Sequence, residues 1–294
     1  MTLLTTLALA CATSSPPAAG GDPVNLDTPA WKLATRHPDR PAIVAHRGAS
    51  LVAPENTLAA YRKAIELGAT AAETDLRLTR DRHVVILHDD TLDRTTTGAG
   101  ALEAHTWAAL EGVDAGSWFG EAFAGEPIPD LDGLLDTAGD ALVLCLEIKD
   151  GVAIEQEIRA ALDAKGRRAQ AVIFSFDADK VALSRLAMPD VPAVYLLRPR
   201  ETGALDEAGA PVKGLVPVML EEARAIDASA IGMSQHYVDA GLIRAAHDAG
   251  YPVFVWTVDE PEALPPLLEA GVDVLITDAP DTISAALDAL LTTP

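Results

Sequence analysis

Cysteine is almost absent from this chain, which has only two, Cys11 and Cys145. Cys11 belongs to an N-terminal segment that we expect to lie outside the folded domain, so no disulfide is expected within that domain. Strand alternation places Cys145 on the same face as Glu147 but deeper, and no base is indicated beside it, which predicts an inert core residue. The fold must therefore be held by its apolar core.

No apolar run is long enough to cross a bilayer as a helix, which needs about 20 residues. The apolar stretch over residues 1–10 predicts instead the hydrophobic region of an export signal. It ends just before Cys11, and a Ser/Pro/Gly-rich run over residues 13–23 follows, an order that resembles a bacterial lipoprotein. Residues 1–35 are therefore assigned to a signal or lipoprotein-like segment and flexible tether. We expect an exported protein, periplasmic or extracellular, that is anchored to a membrane through lipidated Cys11 or released by simple cleavage.

Positive charge is also scarce, because 22 Lys and Arg face 44 Asp and Glu, for a formal net charge of −22. Such a charge repels the phosphate backbone of DNA or RNA, and no Lys/Arg-rich run offers a local exception, so no nucleic-acid partner is expected. An anionic small substrate meets the same repulsion. It must be held by local positive charge from Arg47, Lys149 or a bound cation. Nothing in the sequence indicates an oligomeric state.

Apolar residues are abundant, at 49% of 294, which is enough for one large core. From residue 41 onward, strand-like runs alternate with helix-period segments, a pattern typical of βα units around a parallel sheet. Strands are predicted near residues 42–47, 71–76, 141–148, 171–176, 192–197, 229–234, 252–258 and 273–277. Helices are predicted at 57–67, 131–139, 153–164, 178–187, 217–225, 239–249, 261–270 and 281–291. Eight such units predict an α/β fold, a (β/α)8 TIM barrel over residues 36–294. An open doubly wound sheet is the alternative, but no Gly-rich phosphate loop follows the first strand.

The segment after the second barrel strand breaks this alternation. Residues 75–78 and 84–87 are both strand-like, and the polar residues 80–82 between them leave no room for a crossover helix. A β-hairpin is therefore predicted, and it brings His88 back beside the end of the second strand. A long excursion over about residues 90–130 follows. We expect it to form a small insertion that covers the barrel mouth as a lid or shapes the substrate site.

Three carboxylates fall at the ends of predicted strands, where barrel enzymes keep their chemistry. Glu73 and Asp75 are two residues apart on one strand and so face the same way, and Glu147 ends the next barrel strand. Three converging carboxylates repel one another unless a cation lies between them. Oxygen ligands favour a hard ion, so one divalent cation is expected, Mg²⁺ or Ca²⁺.

Two histidines also follow apolar strands, His46 after the first and His88 after the hairpin. A single histidine in such a place is most often a structural residue. Two of them beside a metal site are the arrangement that general acid/base chemistry requires. We therefore interpret His46 and His88 as the catalytic pair.

These motifs resemble those of the glycerophosphodiester phosphodiesterase family. The similarity extends over nearly the whole chain from residue 41 to residue 290, and the combination of motifs is highly specific. It rests on His46-Arg47-Gly48-Ala49-Ser50, Pro54-Glu55-Asn56-Thr57, Glu73-Thr74-Asp75, His88-Asp89, Thr91-Leu92-Asp93-Arg94-Thr95-Thr96, the Gly116 to Pro129 run, Glu147-Ile148-Lys149, Ser175-Phe176, Trp256-Thr257-Val258 and Thr277-Asp278.

The resemblance implies a barrel hydrolase that releases glycerol 3-phosphate and an alcohol from a glycerophosphodiester. It gives the three carboxylates and the two histidines the roles stated above. It further implies that Arg47 and Lys149 hold phosphate oxygens and that Trp256 forms an aromatic wall at the glycerol end, the alternative for Trp256 being a core residue that closes the barrel. Asp259 departs from the Asn that the family often has, and we expect little consequence.

Other functions fit parts of the same sequence. A lysophospholipase D or sphingomyelinase D-like enzyme would act on membrane lipids and would need an apolar entry, which Trp107, Trp118 and Phe119 could form. A surface binding lipoprotein that keeps the fold without catalysis is the alternative from another class. For the hydrolase, both water and the neighbouring glycerol hydroxyl fit as the nucleophile, and either histidine fits as acid or as base.

Overall fold

The structure is a computed structural model that describes residues 25–149, 151–198 and 216–292. Eight parallel strands close into a barrel, and a ninth strand pairs antiparallel with one of them. In chain order the nine strands of the described residues are β1 (Ala42–Ala45), β2 (Ala71–Leu78), β3 (Val84–Ile86), β4 (Val143–Ile148), β5 (Ala171–Ser175), β6 (Ala193–Leu196), β7 (Ala230–Ser234), β8 (Val253–Trp256) and β9 (Val274–Thr277). The barrel closes because β1 pairs in parallel with both β9 and β2. The predicted (β/α)8 barrel is confirmed, and the open doubly wound alternative is wrong.

All eight predicted helices are present, with one more before the first strand. They are α1 (Pro29–Leu33), α2 (Leu58–Glu66), α3 (Leu131–Ala138), α4 (Ile154–Lys165), α5 (Ala178–Ala187), α6 (Val216–Ala225), α7 (Ala240–Asp248), α8 (Leu264–Ala270) and α9 (Pro280–Thr292). Side-chain oxygens cap the amino ends of α2, α3, α5 and α7, and they belong to Thr57, Asp130, Asp177 and Asp239. Among the described residues, no helix has both the length and the apolar character needed to cross a bilayer.

Apolar side chains form two main layers, one between the strands and the helices and one inside the barrel. The inner layer includes Phe174 and Phe254, whose rings meet edge to face at 5.3 Å between centroids. Cys145 is fully buried in this layer. Its burial raises the pKa of the thiol well above its usual value, which agrees with the inert core residue predicted from the sequence.

Helix α1 closes the amino-terminal end of the barrel. Its Ala30 and Leu33 are buried against the inner layer, and the indole of Trp31 donates a hydrogen bond of 2.8 Å to the carbonyl of Asp190. Residues 29–33, which were expected to belong to the flexible tether of residues 1–35, instead form a helix that packs on the barrel. A five-residue helix is too short to show a periodic pattern and is stabilised by its packing. Residues 1–24, which include Cys11, lie outside the described part of the chain.

Asp273, at the start of β9, joins this amino-terminal segment to the barrel. Its side chain is fully buried. Oδ1 accepts hydrogen bonds from Nε of Arg36 at 2.9 Å and from the backbone N–H of His37 at 3.0 Å. Oδ2 accepts one from the backbone of Val253 and lies 2.8 Å from Nε2 of His247. One carboxylate thus satisfies four groups on three segments.

We expect Asp273→Ala to lower the free energy of unfolding by about 3–5 kcal/mol, because it leaves several buried polar groups without their acceptor. Chemical denaturation measures this loss, and turnover per folded molecule should not change. Asp288→Ala is the matched control, since Asp288 also accepts from an arginine, Arg40, but is exposed; its effect should stay within about 0.5 kcal/mol. A loss below about 1 kcal/mol for Asp273→Ala would contradict the assigned role.

The predicted hairpin is also present. Strand β3 pairs antiparallel with β2 in the register Leu76↔Ile86 and Leu78↔Val84. The ladder continues with a hydrogen bond of 3.0 Å from the N–H of Leu87 to the carbonyl of Asp75. His88 therefore emerges next to the carboxylates of β2, as the hairpin required.

The insertion over residues 90–130 consists of short 3₁₀ turns and loops around a small core of its own, which includes Leu92, Leu102 and Ile128. None of its residues lines the central cavity of the barrel mouth. The expected lid is therefore not seen, and the insertion stands beside the pocket because its apolar residues pack on β3 and the chain that follows it. Trp107 stacks on His83, at 4.6 Å between ring centroids, away from the mouth.

Candidate active site

Three carboxylates meet at the carboxyl ends of two neighbouring barrel strands. The register of the parallel pair β2 and β4 sets Asp75 beside Glu147 and places Glu73 one step deeper, beside Cys145. Glu73, Asp75 and Glu147 are all buried. Each offers one carboxylate oxygen, and these three oxygens lie within 4.8 Å of one another. The convergence inferred from strand spacing is thus what the tertiary structure forms.

Two cations compensate part of this negative charge. Nζ of Lys149 lies 2.9 Å from Oδ1 of Asp75 and 2.5 Å from Oε1 of Glu147. Nε of Arg47 lies 3.2 Å from Oδ2 of Asp75. Burial alone would raise the pKa of Asp75, but Lys149 and Arg47 outweigh it and hold that pKa well below its usual value. The three carboxylates still outnumber the two cations by one charge.

Glu73 is the least compensated of the three carboxylates. Its Oε1 is buried and has no hydrogen-bond partner among the described residues, whereas its Oε2 accepts from the backbone N–H of Arg47 at 3.1 Å. Burial, and then the neighbouring Asp75 and Glu147, raise the pKa of Glu73 well above its usual value. A buried oxygen without a donor, in a set of oxygen ligands only, fits a hard divalent cation.

The His46-Arg47-Gly48 motif is a tight turn rather than the end of a strand. Both Arg47 (φ 54°) and Gly48 (φ 82°) are in the left-handed region. A Cβ at position 48 would lie 2.7 Å from the carbonyl carbon of Ala60, so only glycine fits there. The turn directs the backbone N–H of Arg47 towards Glu73, which orients that carboxylate.

His46 is held by a carboxylate from the last barrel strand. Its Nδ1 lies 2.7 Å from Oδ1 of Asp278, which also accepts from the hydroxyl of Ser50 at 2.7 Å. These hydrogen bonds outweigh the effect of burial and lower the pKa of Asp278. Because an ionised carboxylate only accepts, the hydrogen bond places the proton of a neutral His46 on Nδ1. Its Nε2, which is 3.9 Å from Oε2 of Glu73, is left for the cavity.

Asp278 is itself fixed by Asp259. Oδ1 of Asp259 accepts from the backbone N–H of Asp278 at 2.8 Å and from the hydroxyl of Thr277 at 3.0 Å. The side-chain carbonyl of an Asn could accept both bonds as well. Asp259 therefore makes the contact that the family's usual Asn could make, in line with the small consequence expected from the sequence.

His88 is held in the same way, by the carboxylate of the next residue in the chain. Its Nδ1 lies 2.7 Å from Oδ1 of Asp89, and Arg77 donates two hydrogen bonds to its backbone carbonyl, at 3.0 and 2.7 Å. Burial lowers the pKa of His88, although the nearby Asp75 opposes this shift. Each of the two histidines thus has one nitrogen engaged by a carboxylate and the other available to a ligand.

We expect Asp278→Ala to reduce kcat by about 10–100-fold, the usual cost of losing a carboxylate that orients an active-site histidine. The side chain of His46 would lose its fixed tautomer and direction, while the barrel stays folded. Steady-state kinetics and a melting curve check both points. Asp281→Ala, an exposed replacement in the first turn of α9, should leave both unchanged, and turnover within twofold of wild type in Asp278→Ala would refute the role.

Asn56 belongs to the Pro54-Glu55-Asn56-Thr57 motif, but the sequence indicated no role for it. Asn56 is buried, and its amide donates a hydrogen bond of 2.7 Å to Oδ2 of Asp75. The hydroxyl of Tyr61 donates to the side-chain oxygen of Asn56 at 3.0 Å. This pair orients Asp75 from below. Its place inside a motif was the only sign in the sequence that Asn56 contributes to the site.

The other half of the cavity is apolar. The indole of Trp256 meets the ring of Phe176 edge to face at 5.5 Å. The guanidinium of Arg198 lies 4.0 Å from the centroid of Phe176, and Nζ of Lys149 lies 6.0 Å from it. Trp256 therefore lines the cavity wall, as the resemblance implied, whereas Phe176 and Arg198 received no role from the sequence.

All eight residues predicted for the site come together around one cavity. Its volume is about 140 Å³, well below the size of sites for drug-sized molecules. Asp75 is fully buried beside Glu147, and the other seven line the cavity: His46, Arg47, Glu73, His88, Glu147, Lys149 and Trp256. The arrangement sets two histidines, an acidic cluster and two cations against an aromatic wall.

A larger cavity of about 460 Å³ lies beside the hairpin and is lined by three arginines. Arg77 already donates to the carbonyl of His88, and Arg82 is paired with Glu157. Among the described residues that line it, there is no histidine and no cluster of carboxylates that could hold a metal. The smaller cavity at the barrel mouth is therefore the candidate active site.

The fold and this cavity together define a (β/α)8-barrel enzyme with its active site at the carboxyl ends of the strands. A sequence model of the glycerophosphoryl diester phosphodiesterase family matches residues 46–282. The chain belongs to the glycerophosphoryl diester phosphodiesterase family. The family indicated by the sequence motifs is thereby confirmed, and so is its enzymatic class.

Individual relatives agree over most of their length. A glycerophosphodiester phosphodiesterase of Caldanaerobacter subterraneus subsp. tengcongensis is 33% identical over 248 residues, which cover 82% of this chain and 95% of the relative. A glycerophosphodiester phosphodiesterase of Bacillus subtilis is 30% identical over 263 residues, 83% of this chain and 85% of the relative. A phosphodiesterase of Oleispira antarctica, solved in complex with the product sn-glycerol-3-phosphate, has a TM-score of 0.73 at 29% identity and covers 85% of this chain and 97% of its own.

Proposed function

We propose that this chain hydrolyses glycerophosphodiesters to glycerol 3-phosphate and an alcohol, with one divalent cation, Mg²⁺ or Ca²⁺, held by Glu73, Asp75 and Glu147. The observation that carries the proposal is the buried acidic cluster with its unpaired Oε1 of Glu73 at the barrel mouth. Family membership and the product complex of the Oleispira relative support the substrate class. When bound, the cation supplies charge stabilisation for the phosphoryl oxygens.

Arg47 and Lys149 would bind the phosphodiester. Both side chains are largely buried at the polar wall of the cavity. The cluster of three carboxylates and two cations carries one excess negative charge, so a divalent ion would turn this excess positive and suit the single negative charge of a phosphodiester. The aromatic wall formed by Trp256 and Phe176 would receive the carbon side of the glycerol.

His46 and His88 would act as general acid and general base. Both line the cavity, and each has Nδ1 held by a carboxylate, which leaves Nε2 for the proton transfer. One imidazole would take a proton from the nucleophile, and the other would donate one to the departing alkoxide. Both water and the neighbouring glycerol hydroxyl can serve as the nucleophile in this scheme. Either histidine can be the acid, with the other as the base.

A substrate panel tests the proposal. Purified protein should release glycerol 3-phosphate from glycerophosphocholine and glycerophosphoethanolamine when a divalent cation is present, and should not do so after chelation. A lysolipid should be a poor substrate, because the aromatic residues proposed for an acyl entry, Trp107, Trp118 and Phe119, do not line the cavity. Preference for the lysolipid would support the phospholipase D alternative. The absence of turnover with any diester would support the surface binding lipoprotein that keeps the fold without catalysis.

We further propose that the protein is exported and tethered to a membrane through Cys11, in the periplasm or outside the cell. The support is the apolar stretch over residues 1–10 and the tether composition that follows. Cys11→Ser should turn a membrane-bound protein soluble in fractions of the host, and uncleaved protein in the cytoplasm would contradict export.

A further inference from the structure

Arg94, in the first loop of the insertion, binds two carboxylates with two edges of its guanidinium. One edge donates from Nε to Oδ2 of Asp89 at 2.6 Å and from Nη2 to Oδ1 at 3.1 Å. The other edge donates from Nη1 and Nη2 to the two oxygens of Glu55, both at 2.8 Å. Such two-pronged binding fixes angle as well as distance, which a single ion pair does not.

Each of these carboxylates also holds a residue of the catalytic cavity. Oδ1 of Asp89 lies 2.7 Å from Nδ1 of His88. Oε1 of Glu55 accepts from Nη1 of Arg47 at 2.8 Å. Hydrogen bonds from Arg94 lower the pKa of Asp89 to about 2, so its carboxylate stays ionised and only accepts. One guanidinium therefore connects the proposed proton-transfer histidine to the proposed phosphate ligand.

We propose that Arg94 is a positioning residue that holds His88 through Asp89 and Arg47 through Glu55, so that the insertion sets the geometry of the catalytic cavity from outside it. The role rests on the proposed hydrolysis of glycerophosphodiesters. It also accounts for an insertion that contributes no residue to the cavity lining.

The loop that carries Arg94 is held in place without its ion pairs. The N–H of Leu92 donates to the carbonyl of Gly100 at 3.0 Å, and the hydroxyl of Thr96 donates to the carbonyl of Leu92 at 2.6 Å. Leu92 and Thr95 are buried. Replacement of the half-exposed Arg94 should therefore leave the loop folded, and a change in activity would report the lost positioning.

The test compares Arg94→Gln and Arg94→Lys with wild type by steady-state kinetics, melting curves and ¹H–¹⁵N spectra of the His88 imidazole. Arg94→Gln should lose about 10–100-fold in kcat with an unchanged melting curve, and the Nδ1 resonance of His88 should shift. Arg94→Lys should recover only part of the loss, since an ammonium keeps the charge but not the two edges. Arg168→Gln is the matched control. Arg168 also joins two carboxylates, Asp163 and Asp190, but it lies just before the start of β5 and does not line the cavity. This variant should behave as wild type.

A triple variant tests the route of the effect. If Arg94 acts through its two partners, Arg94→Gln added to the double variant Asp89→Asn/Glu55→Gln should cause little further loss, whereas independent effects would multiply. Turnover within twofold of wild type in folded Arg94→Gln, or a loss that multiplies fully with the two carboxylate changes, would overturn the proposal. Should wild type hydrolyse no glycerophosphodiester, the proposed function fails, and the His88 spectrum of Arg94→Gln still decides the positioning role: an unchanged resonance overturns it.

Discussion

Exhaustive treatment with EDTA is expected to bring turnover of a glycerophosphodiester below detection, and added Mg²⁺ or Ca²⁺ is expected to restore it. The reason is that Glu73, Asp75 and Glu147 converge within 4.8 Å, and Lys149 and Arg47 compensate only part of their charge. Dialysis, kinetics at defined metal concentrations and calorimetric titration of the metal measure the effect.

A single substitution in the acidic cluster should produce most of the loss of turnover that chelation causes. Glu147→Gln removes one ligand charge without changing volume, so the fold should persist while metal affinity falls by at least about 100-fold, beyond the usual cost of changing a residue that only supports a ligand. Glu262→Gln, an exposed replacement on another loop, is the control and should bind metal normally. Full turnover after exhaustive chelation would refute the cation requirement, and unchanged metal affinity in Glu147→Gln would remove that residue from the ligand set.

His46→Ala and His88→Ala should each reduce kcat by about 10²–10⁴-fold, the range for a positioned proton-transfer group. Metal binding should survive both changes, because neither ring belongs to the acidic cluster. The double variant should lose much less than the product of the single losses, since removal of one partner already stalls the step that the other assists. Kinetics, metal titration and a melting curve for each variant give the answer.

A purely structural role of His46 or His88 would give a different result in the same variants. If either histidine is only a structural residue, its replacement should lower the melting temperature while turnover per folded molecule stays near normal. His105→Ala serves as the control, because Nε2 of His105 lies 3.2 Å from the carbonyl oxygen of Ala99 within the insertion and the ring does not line the cavity. It should affect neither quantity. Near-normal turnover in His46→Ala or His88→Ala would end the acid/base assignment of that residue.

Much of the barrel follows from local sequence. The eight strand-helix units were predictable because apolar periodicity and short polar breaks are properties of neighbouring residues. The hairpin was predictable for the same reason, since the segment between residues 78 and 84 is too short for a crossover helix. Strand ends were less well predicted: residues 46 and 47 belong to the turn after β1, because Arg47 and Gly48 take left-handed backbone conformations.

The amino-terminal boundary and the role of the insertion were not predictable in this way. Helix α1 has five residues and carries no periodic pattern, so only its packing under the barrel shows that it belongs to the domain. The insertion contains enough aromatic residues to indicate a lid. Its apolar residues instead pack around β3, and none of its residues lines the described cavity, because contacts between distant segments decide where it lies.

The sequence by itself determined the barrel, the family and the residues that meet at its mouth, because strand alternation and strand ends bring Glu73, Asp75 and Glu147 to one face wherever such strands form a parallel sheet. Only the tertiary structure decided that Asp278 holds His46 and that Arg94 binds Glu55. His46 and Asp278 are 232 positions apart, and Arg94 and Glu55 are 39 apart. Hydrogen bonds over such separations depend on how loops from different strands meet, and no spacing within the chain encodes them.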